Sequence, residues 1–175
     1  MKEVEIKAHA TEDLRSTIES ITGMEGRTVD KWDQYFHLPG CITQKIRLRK
    51  NNGVLEMTTK EQKFTGETED NAEYEIKFSM DQYDNAHDLI NSLGYVDYFV
   101  KIKKGWDWTW EGVHIELLKV NDIGWFLEME ALIPLDSSRE DVEKAQDTLF
   151  RLLHEFGLSD DAVEKTSYRT MIIGV

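Results

Sequence analysis

Along most of the first three quarters of the chain, apolar and polar residues alternate one for one. Val4, Ile6 and Ala8 interleave with Glu3, Glu5 and Lys7. Ile46 and Leu48 interleave with Lys45, Arg47 and Arg49, and Leu55 and Met57 with Glu56, Thr58 and Lys60. The period recurs in Tyr74, Ile76 and Phe78 against Glu73, Glu75 and Lys77, in Val100 and Ile102 against Lys101 and Lys103, and in Leu127 and Met129 against Glu128 and Glu130. Residues two apart share one face of a strand, so the pattern predicts strands with one apolar and one charged side. They are expected over 2–9, 29–37, 43–50, 54–60, 71–79, 96–104, 106–120 (a hairpin candidate) and 124–133. Asn51-Asn52-Gly53 and Leu38-Pro39-Gly40 mark tight turns. The polar stretch from Glu61 to Asn71, with Gly66, reads as a mobile loop.

Helical spacing replaces alternation in a few places. Leu14, Ile18 and Ile21 line one side of 11–22, with Thr11 as the expected N-cap. A second helix is predicted over 81–93, stopping before Gly94. The longest runs over 138–156, from Ser137-Ser138 through Val142, Ala145, Leu149, Leu152 and Leu153 to Gly157, and a short final helix is placed around 160–172. Many antiparallel strands with a few helices laid outside them define an α+β class.

At 175 residues the chain fits one domain, 1–175, and 40% hydrophobic residues with five Trp supply a packed core. The formal net charge is −13, from 34 acids and 21 bases, which argues against general nucleic-acid binding. No apolar run is long enough for a bilayer span, so no membrane contact is expected. Met1-Lys2-Glu3-Val4-Glu5 does not read as a signal peptide, and lone Cys41 rules out an internal disulfide framework or a Cys-based zinc site. A cytoplasmic setting is expected.

The acidic total hides a segregation. Strands around 3–5, 73–75 and 128–130 supply carboxylates, whereas 45–49 and 101–103 supply cations. A solvated sheet face commonly alternates polar with apolar, but like charges two residues apart, roughly 7 Å along one face, are a costly surface choice. Turned inward, such a face forms a polyanion site. Carboxylate oxygens bind hard divalent cations, and Lys and Arg hold phosphates that bridge to them.

Glu3-Val4-Glu5-Ile6-Lys7 resembles the ExExK signature of the CYTH superfamily, the triphosphate tunnel metalloenzymes. The remaining motifs follow in the family's order. Asp33-Gln34-Tyr35-Phe36 resembles its DxYF strand, Lys45-Ile46-Arg47-Leu48-Arg49 its LRIR strand, and Leu55-Glu56-Met57-Thr58-Thr59-Lys60 its LTxK strand. Glu73-Tyr74-Glu75 is similar to its ExE element, and Lys101-Ile102-Lys103 with Trp106 to KxRxxY. Gly124-Trp125-Phe126-Leu127-Glu128-Met129-Glu130 is similar to LGxFxEIE, and Ser167-Tyr168 to the SY near the end. The resemblance implies a closed antiparallel tunnel of about eight strands with a polar lumen and apolar faces outward, under the helices.

By the same resemblance, Glu3, Glu5, Glu128 and Glu130 are expected to bind Mg2+ or Mn2+. Lys7, Lys45, Arg47, Arg49, Lys60, Lys101 and Lys103 are expected to hold a triphosphate, with Lys45 at the tunnel mouth and Glu73 and Glu75 in support. Lys7, Lys60 and Glu5 are the expected catalytic groups. The activity implied is that of a class IV adenylyl cyclase, converting ATP to cyclic AMP and pyrophosphate. The alternatives are a triphosphatase acting on thiamine triphosphate, tripolyphosphate or a nucleoside triphosphate, and a binding protein without turnover. A homodimer is the assembly the relatives suggest. Two positions depart from the pattern: Leu118 stands where the family usually has Asp, leaving Glu116 or Asp122 as substitute ligands, and Lys103 stands where Arg is usual.

His9, His37, His87, His114 and His154 are scattered, without metal-site spacing. Trp106, Trp108 and Trp110 alternate on one strand face and could stack a base, but packing under a helix is their expected role. Cys41 lacks a His partner for nucleophilic chemistry.

Overall fold

The computed structural model describes the backbone of residues 1–65 and 68–174, and the side chains of 1–41, 45–59 and 74–174. Strands β1 (Lys2–Ala10), β2 (Arg27–Leu38), β3 (Cys41–Asn51), β4 (Val54–Thr65), β5 (Thr68–Ser79), β6 (Val96–Trp110), β7 (Val113–Val120) and β8 (Gly124–Ile133) form an eight-stranded sheet. Its order is β1-β8-β7-β6-β2-β3-β4-β5. With helices α1 (Leu14–Thr22), α2 (Tyr83–Ser92), α3 (Arg139–Glu155) and α4 (Tyr168–Ile173), this is the α+β class the alternation predicts. Among the described residues, no helix is long and apolar enough to cross a membrane.

The chain divides into two compact units, Met1–Val29 with Lys103–Met171 and Asp30–Ile102 with Ile172–Val175. In the first unit, Val4, Ile6 and Ala8 of β1 share a core with Ile115 and Leu117 of β7 and Leu127 and Met129 of β8. Leu14 and Ile18 of α1 and Leu149, Leu152 and Leu153 of α3 pack on it. Trp108 is buried there, with Trp106 and Trp110 beside it, so the alternating tryptophans pack under helices as expected. In the second unit, Ala86 and Ile90 of α2 cover Phe36, Leu48 and Leu55. The opposite faces of these strands carry the charges.

Several boundaries differ from expectation. Residues 61–65 and 68–71 are not a loop: they extend β4 and β5 as a ladder in which Glu61 pairs with Ala72 and Thr65 with Thr68. Strand pairing overrides low β-propensity here, since the ladder satisfies the backbone whatever the side chains. Strand β6 runs unbroken through Gly105, where an added Cβ would lie 2.0 Å from the Leu117 carbonyl oxygen of β7. Helix α1 starts at Leu14 rather than at Thr11, whose carbonyl accepts from the Leu14 amide at 3.2 Å in the preceding turn. Helix α3 starts as expected, with Ser138 and Asp141 forming a reciprocal capping box. The last segment is one 3-10 turn at Asp160–Ala162 and the six-residue α4, not one helix over 160–172.

Candidate functional site

In the first unit, antiparallel pairing sets the acidic residues side by side. Glu5 lies opposite Glu130 and Lys7 opposite Glu128. Glu128 in turn faces Glu116, Glu130 faces His114, and Glu116 faces Asp107. Like charges in directly opposed pairs destabilise a sheet, so this row requires cations. Buried Lys103 donates to Glu128 Oε2 at 2.7 Å, and the Tyr168 hydroxyl donates to Glu128 Oε1. Lys7 Nζ sits 4.3 Å from the Tyr168 ring centroid and donates to the Thr166 carbonyl.

These surroundings set the protonation states. Burial, then the charges of Glu128, Glu130 and Glu3 against a counteracting Lys103, push the Glu5 carboxyl above its usual range. Glu5 remains reachable by solvent, so its burial is that of a carboxyl crowded by protein rather than sealed by it. Burial pulls the Lys7 ammonium below its ordinary value, with Glu128, Glu164 and Glu5 opposing the shift. Burial and the Glu128 charge hold the Tyr168 phenol protonated, as a permanent donor.

The Asp107 carboxylate completes this face. It accepts from Arg27 Nε at 3.1 Å and Nη2 at 2.8 Å, and pairs with His114 Nε2 at 3.2 Å. Beyond Glu116 the face turns apolar: Leu118 is fully buried with Val29, Val120 and Phe126. Thus Leu118 closes the end of the acidic row, Glu116 holds the adjoining position in it, and Asp122 lies in the β7–β8 turn.

The second unit gathers the cations. Asp33, which has no exposed surface, receives Arg49 Nε at 2.6 Å and Nη2 at 2.8 Å, with Lys101 Nζ 3.5 Å away. Burial pushes the Asp33 carboxyl up, but hydrogen bonds and charge from Arg49, with Lys101 and Arg47, more than reverse this and hold it below its usual range. Lys101 also donates to Tyr35 Oη at 2.9 Å. Arg47 donates to Thr58 Oγ1 at 3.1 Å, and Thr58 to Glu75 at 3.4 Å. Lys77 bridges Glu56 and Glu75, 3.3 Å from each.

The predicted residues therefore fall into two groups. Glu3, Glu5, Lys7, Lys103, Glu128 and Glu130 belong to the first unit, and Lys45, Arg47, Arg49, Glu75 and Lys101 to the second. Glu3 lies opposite Leu132, and Lys45 opposite His37. Lys60 and Glu73 pair through their backbones, but their side chains lie outside those described. Sequence reasoning passed over Asp33, Tyr35 and Thr58 as site residues, although each shares the strand face of a predicted cation or lies opposite one. Among the described residues, no three or more His, Cys, Asp or Glu side chains are already gathered around a metal position. The carboxylate oxygens of Glu5 and Glu130 are nonetheless the hard donors that Mg2+ or Mn2+ takes, and a cation there would relieve the Glu128, Glu130 and Glu3 charges that add to burial in raising the Glu5 carboxyl.

The CYTH domain model matches residues 1–168. The chain belongs to the CYTH domain family. None of the curated proteins matches it. Among solved structures, PH1012 from Pyrococcus horikoshii is 27% identical, with 96% of this chain and 98% of that one aligned at a TM-score of 0.74. A candidate adenylate cyclase from Vibrio parahaemolyticus shares the fold at 18% identity, 97% coverage of each chain and a TM-score of 0.74. HpAC1 from Hippeastrum, a candidate adenylyl cyclase that reveals a dominant triphosphatase activity, shares it at 14% identity, covering 98% of this chain and 93% of that one at a TM-score of 0.61.

Proposed function

We propose that this CYTH protein binds a triphosphate together with a divalent cation and processes it, in the manner of a class IV adenylyl cyclase acting on ATP. The observation that carries the reading is the sorting of charge by strand. One set of strands presents a crowded carboxylate row with a Glu5 held above its usual range, and another presents Arg47, Arg49 and Lys101 braced by acidic and hydroxyl partners. A metal–triphosphate complex offers a partner to each kind of group, its cation to carboxylates and its phosphates to Arg and Lys. Glu5 and Glu130, with Glu3 and Glu128, would hold Mg2+ or Mn2+, which when bound neutralises phosphate charge. Arg47, Arg49 and Lys101 would bind phosphate oxygens, Arg in its bidentate fork.

In cyclisation the ribose 3′-oxygen attacks the α-phosphorus, the bond from that phosphorus to the bridging oxygen breaks, and pyrophosphate leaves. We assign the 3′-hydroxyl proton to Lys7, the lysine that the family resemblance makes catalytic; burial, which lowers its pKa, acts in the direction that role needs. Hydrolysis is the second reading, favoured by the triphosphatase activity of HpAC1 on the same fold. Water would then attack the terminal phosphorus, the bond from that phosphorus to its bridging oxygen would break, and the diphosphate part would leave, giving orthophosphate and a proton.

Incubating the full chain with ATP, thiamine triphosphate or tripolyphosphate, each with Mg2+ or Mn2+, tests the reading. Cyclic AMP with pyrophosphate supports cyclisation, and orthophosphate supports hydrolysis. Saturable binding without product leaves a binding protein, and neither binding nor product removes the triphosphate assignment.

A further inference from the structure

The charged face of the second unit holds an aromatic pair that phosphate binding does not require. Tyr35 of β2 and Phe99 of β6 stack face to face, with centroids 4.4 Å apart and planes within 4° of parallel. Tyr98 stands edge-on to Phe99 at 5.2 Å, and His37 lies 4.6 Å from Tyr98. Tyr35 shares its strand face with Asp33 and lies directly opposite Arg47. Phe99 precedes Lys101 by two residues and so shares its face. Lys101 ties rings and charges together, donating to Tyr35 Oη at 2.9 Å while its ammonium is 3.5 Å from Asp33. Tyr35, Phe99, Tyr98 and His37 are all only half-buried, so ring surface stays open to a ligand.

We infer that the Tyr35–Phe99 stack is a platform for a planar heteroaromatic ring tethered to the triphosphate, and that it selects organic triphosphates over inorganic tripolyphosphate. The inference rests on the triphosphate reading and adds the side chains that hold the organic end of the substrate. A cross-strand aromatic pair can serve the sheet alone, since such pairs stabilise strand pairing anywhere. This one is placed for more. Its open rings adjoin the cations that would hold phosphate oxygens, and Lys101 fixes the Tyr35 ring by its hydroxyl. A ligand whose phosphates engage Arg47 and Lys101 would bring its organic end within reach of the stack. Stacking tolerates any flat ring, so a nucleobase and the rings of thiamine share this chemistry.

The test is calorimetric titration of wild type, Phe99→Leu and Phe99→Trp with ATP, thiamine triphosphate and tripolyphosphate, each with Mn2+. Wild type should bind at least one of the two organic ligands more tightly than tripolyphosphate, and the tighter one identifies the ring. Phe99→Leu should weaken that ligand by about 5- to 150-fold, the range of one lost stack. Tripolyphosphate affinity should stay within twofold. Phe99→Trp should restore ring-dependent affinity, and its indole fluorescence should be quenched by the organic ligand only. Equal weakening of all three ligands, or no weakening in a folded Phe99→Leu, would show that the pair serves the sheet alone. Should Phe99→Leu fail to fold, Phe99→Trp decides: unquenched fluorescence with unchanged preference overturns the platform. Absence of binding of all three ligands to wild type would instead strike the triphosphate reading itself.

Discussion

Asp33 offers the sharpest test of how the cationic strands are held. Its carboxylate has no exposed surface and accepts both Arg49 bonds, at 2.6 and 2.8 Å, while Lys101 adds charge at 3.5 Å. The side chains of Arg49 and Lys101 are themselves only 14% and 11% exposed. Asp33→Asn keeps the shape and removes the charge, leaving two cations with little water to screen them. Breaking one side of a buried pair costs about 3–5 kcal/mol. For a chain of this size, about 2–4 °C of Tm follows each kcal/mol, so thermal unfolding should fall by about 6–20 °C. Arg49→Met should also destabilise, because it strands the carboxylate. The double variant Asp33→Asn/Arg49→Met should recover much of the loss, since neither charge is then left alone. The assay is a double-mutant cycle by chemical denaturation. The pH dependence has a definite sign: the folded pKa is depressed, so the contribution is present above the unfolded value of about 4 and is lost as pH falls through the folded one. Strictly additive single and double variants would refute the argument, because the charges would then not depend on one another.

Glu5 should behave in the opposite sense. Its folded pKa is raised, so its contribution to stability is full below the unfolded pKa and is lost as pH rises through the folded one. Glu5→Gln should therefore melt no lower than wild type at neutral pH without metal, while losing Mn2+-dependent triphosphate binding; calorimetry and isothermal titration check both. Gly105→Ala pushes a Cβ against the Leu117 carbonyl oxygen, 2.0 Å away, and overpacking of that kind costs about 1–3 kcal/mol or more. A denaturant midpoint unchanged from wild type would contradict it. Ser138→Ala removes the capping box of α3 and should lower the melting temperature by about 2–4 °C without changing ligand affinity.

Alternation located most of the strands, because a half-buried strand has a period of two and few other elements do, but it divided β6 at Gly105 and left β7 inside a 106–120 hairpin candidate. It also assigned the charged residues to one face, while helical spacing put Leu14, Ile18, Leu149 and Leu152 on the apolar side of their helices. The ends were less legible. Thr11 is a good capping residue, yet α1 begins at Leu14, and the polar residues 61–65 and 68–71 pair as strand because each completes the other's ladder. The roles of individual charges were beyond the pattern altogether. Nothing in Lys45-Ile46-Arg47-Leu48-Arg49 says that Arg49 is clasped by Asp33 while Arg47 reaches Thr58. Nor does Ser167-Tyr168 say that its phenol caps Glu128, which lies 40 residues earlier in the chain. The sequence by itself determined which side of each strand is charged, since periodicity is local. Only the tertiary structure decided register and burial: Glu5 faces Glu130 and Lys7 faces Glu128, and burial raises the Glu5 carboxyl with help from its acidic neighbours while it lowers the Lys7 ammonium against the pull of Glu128.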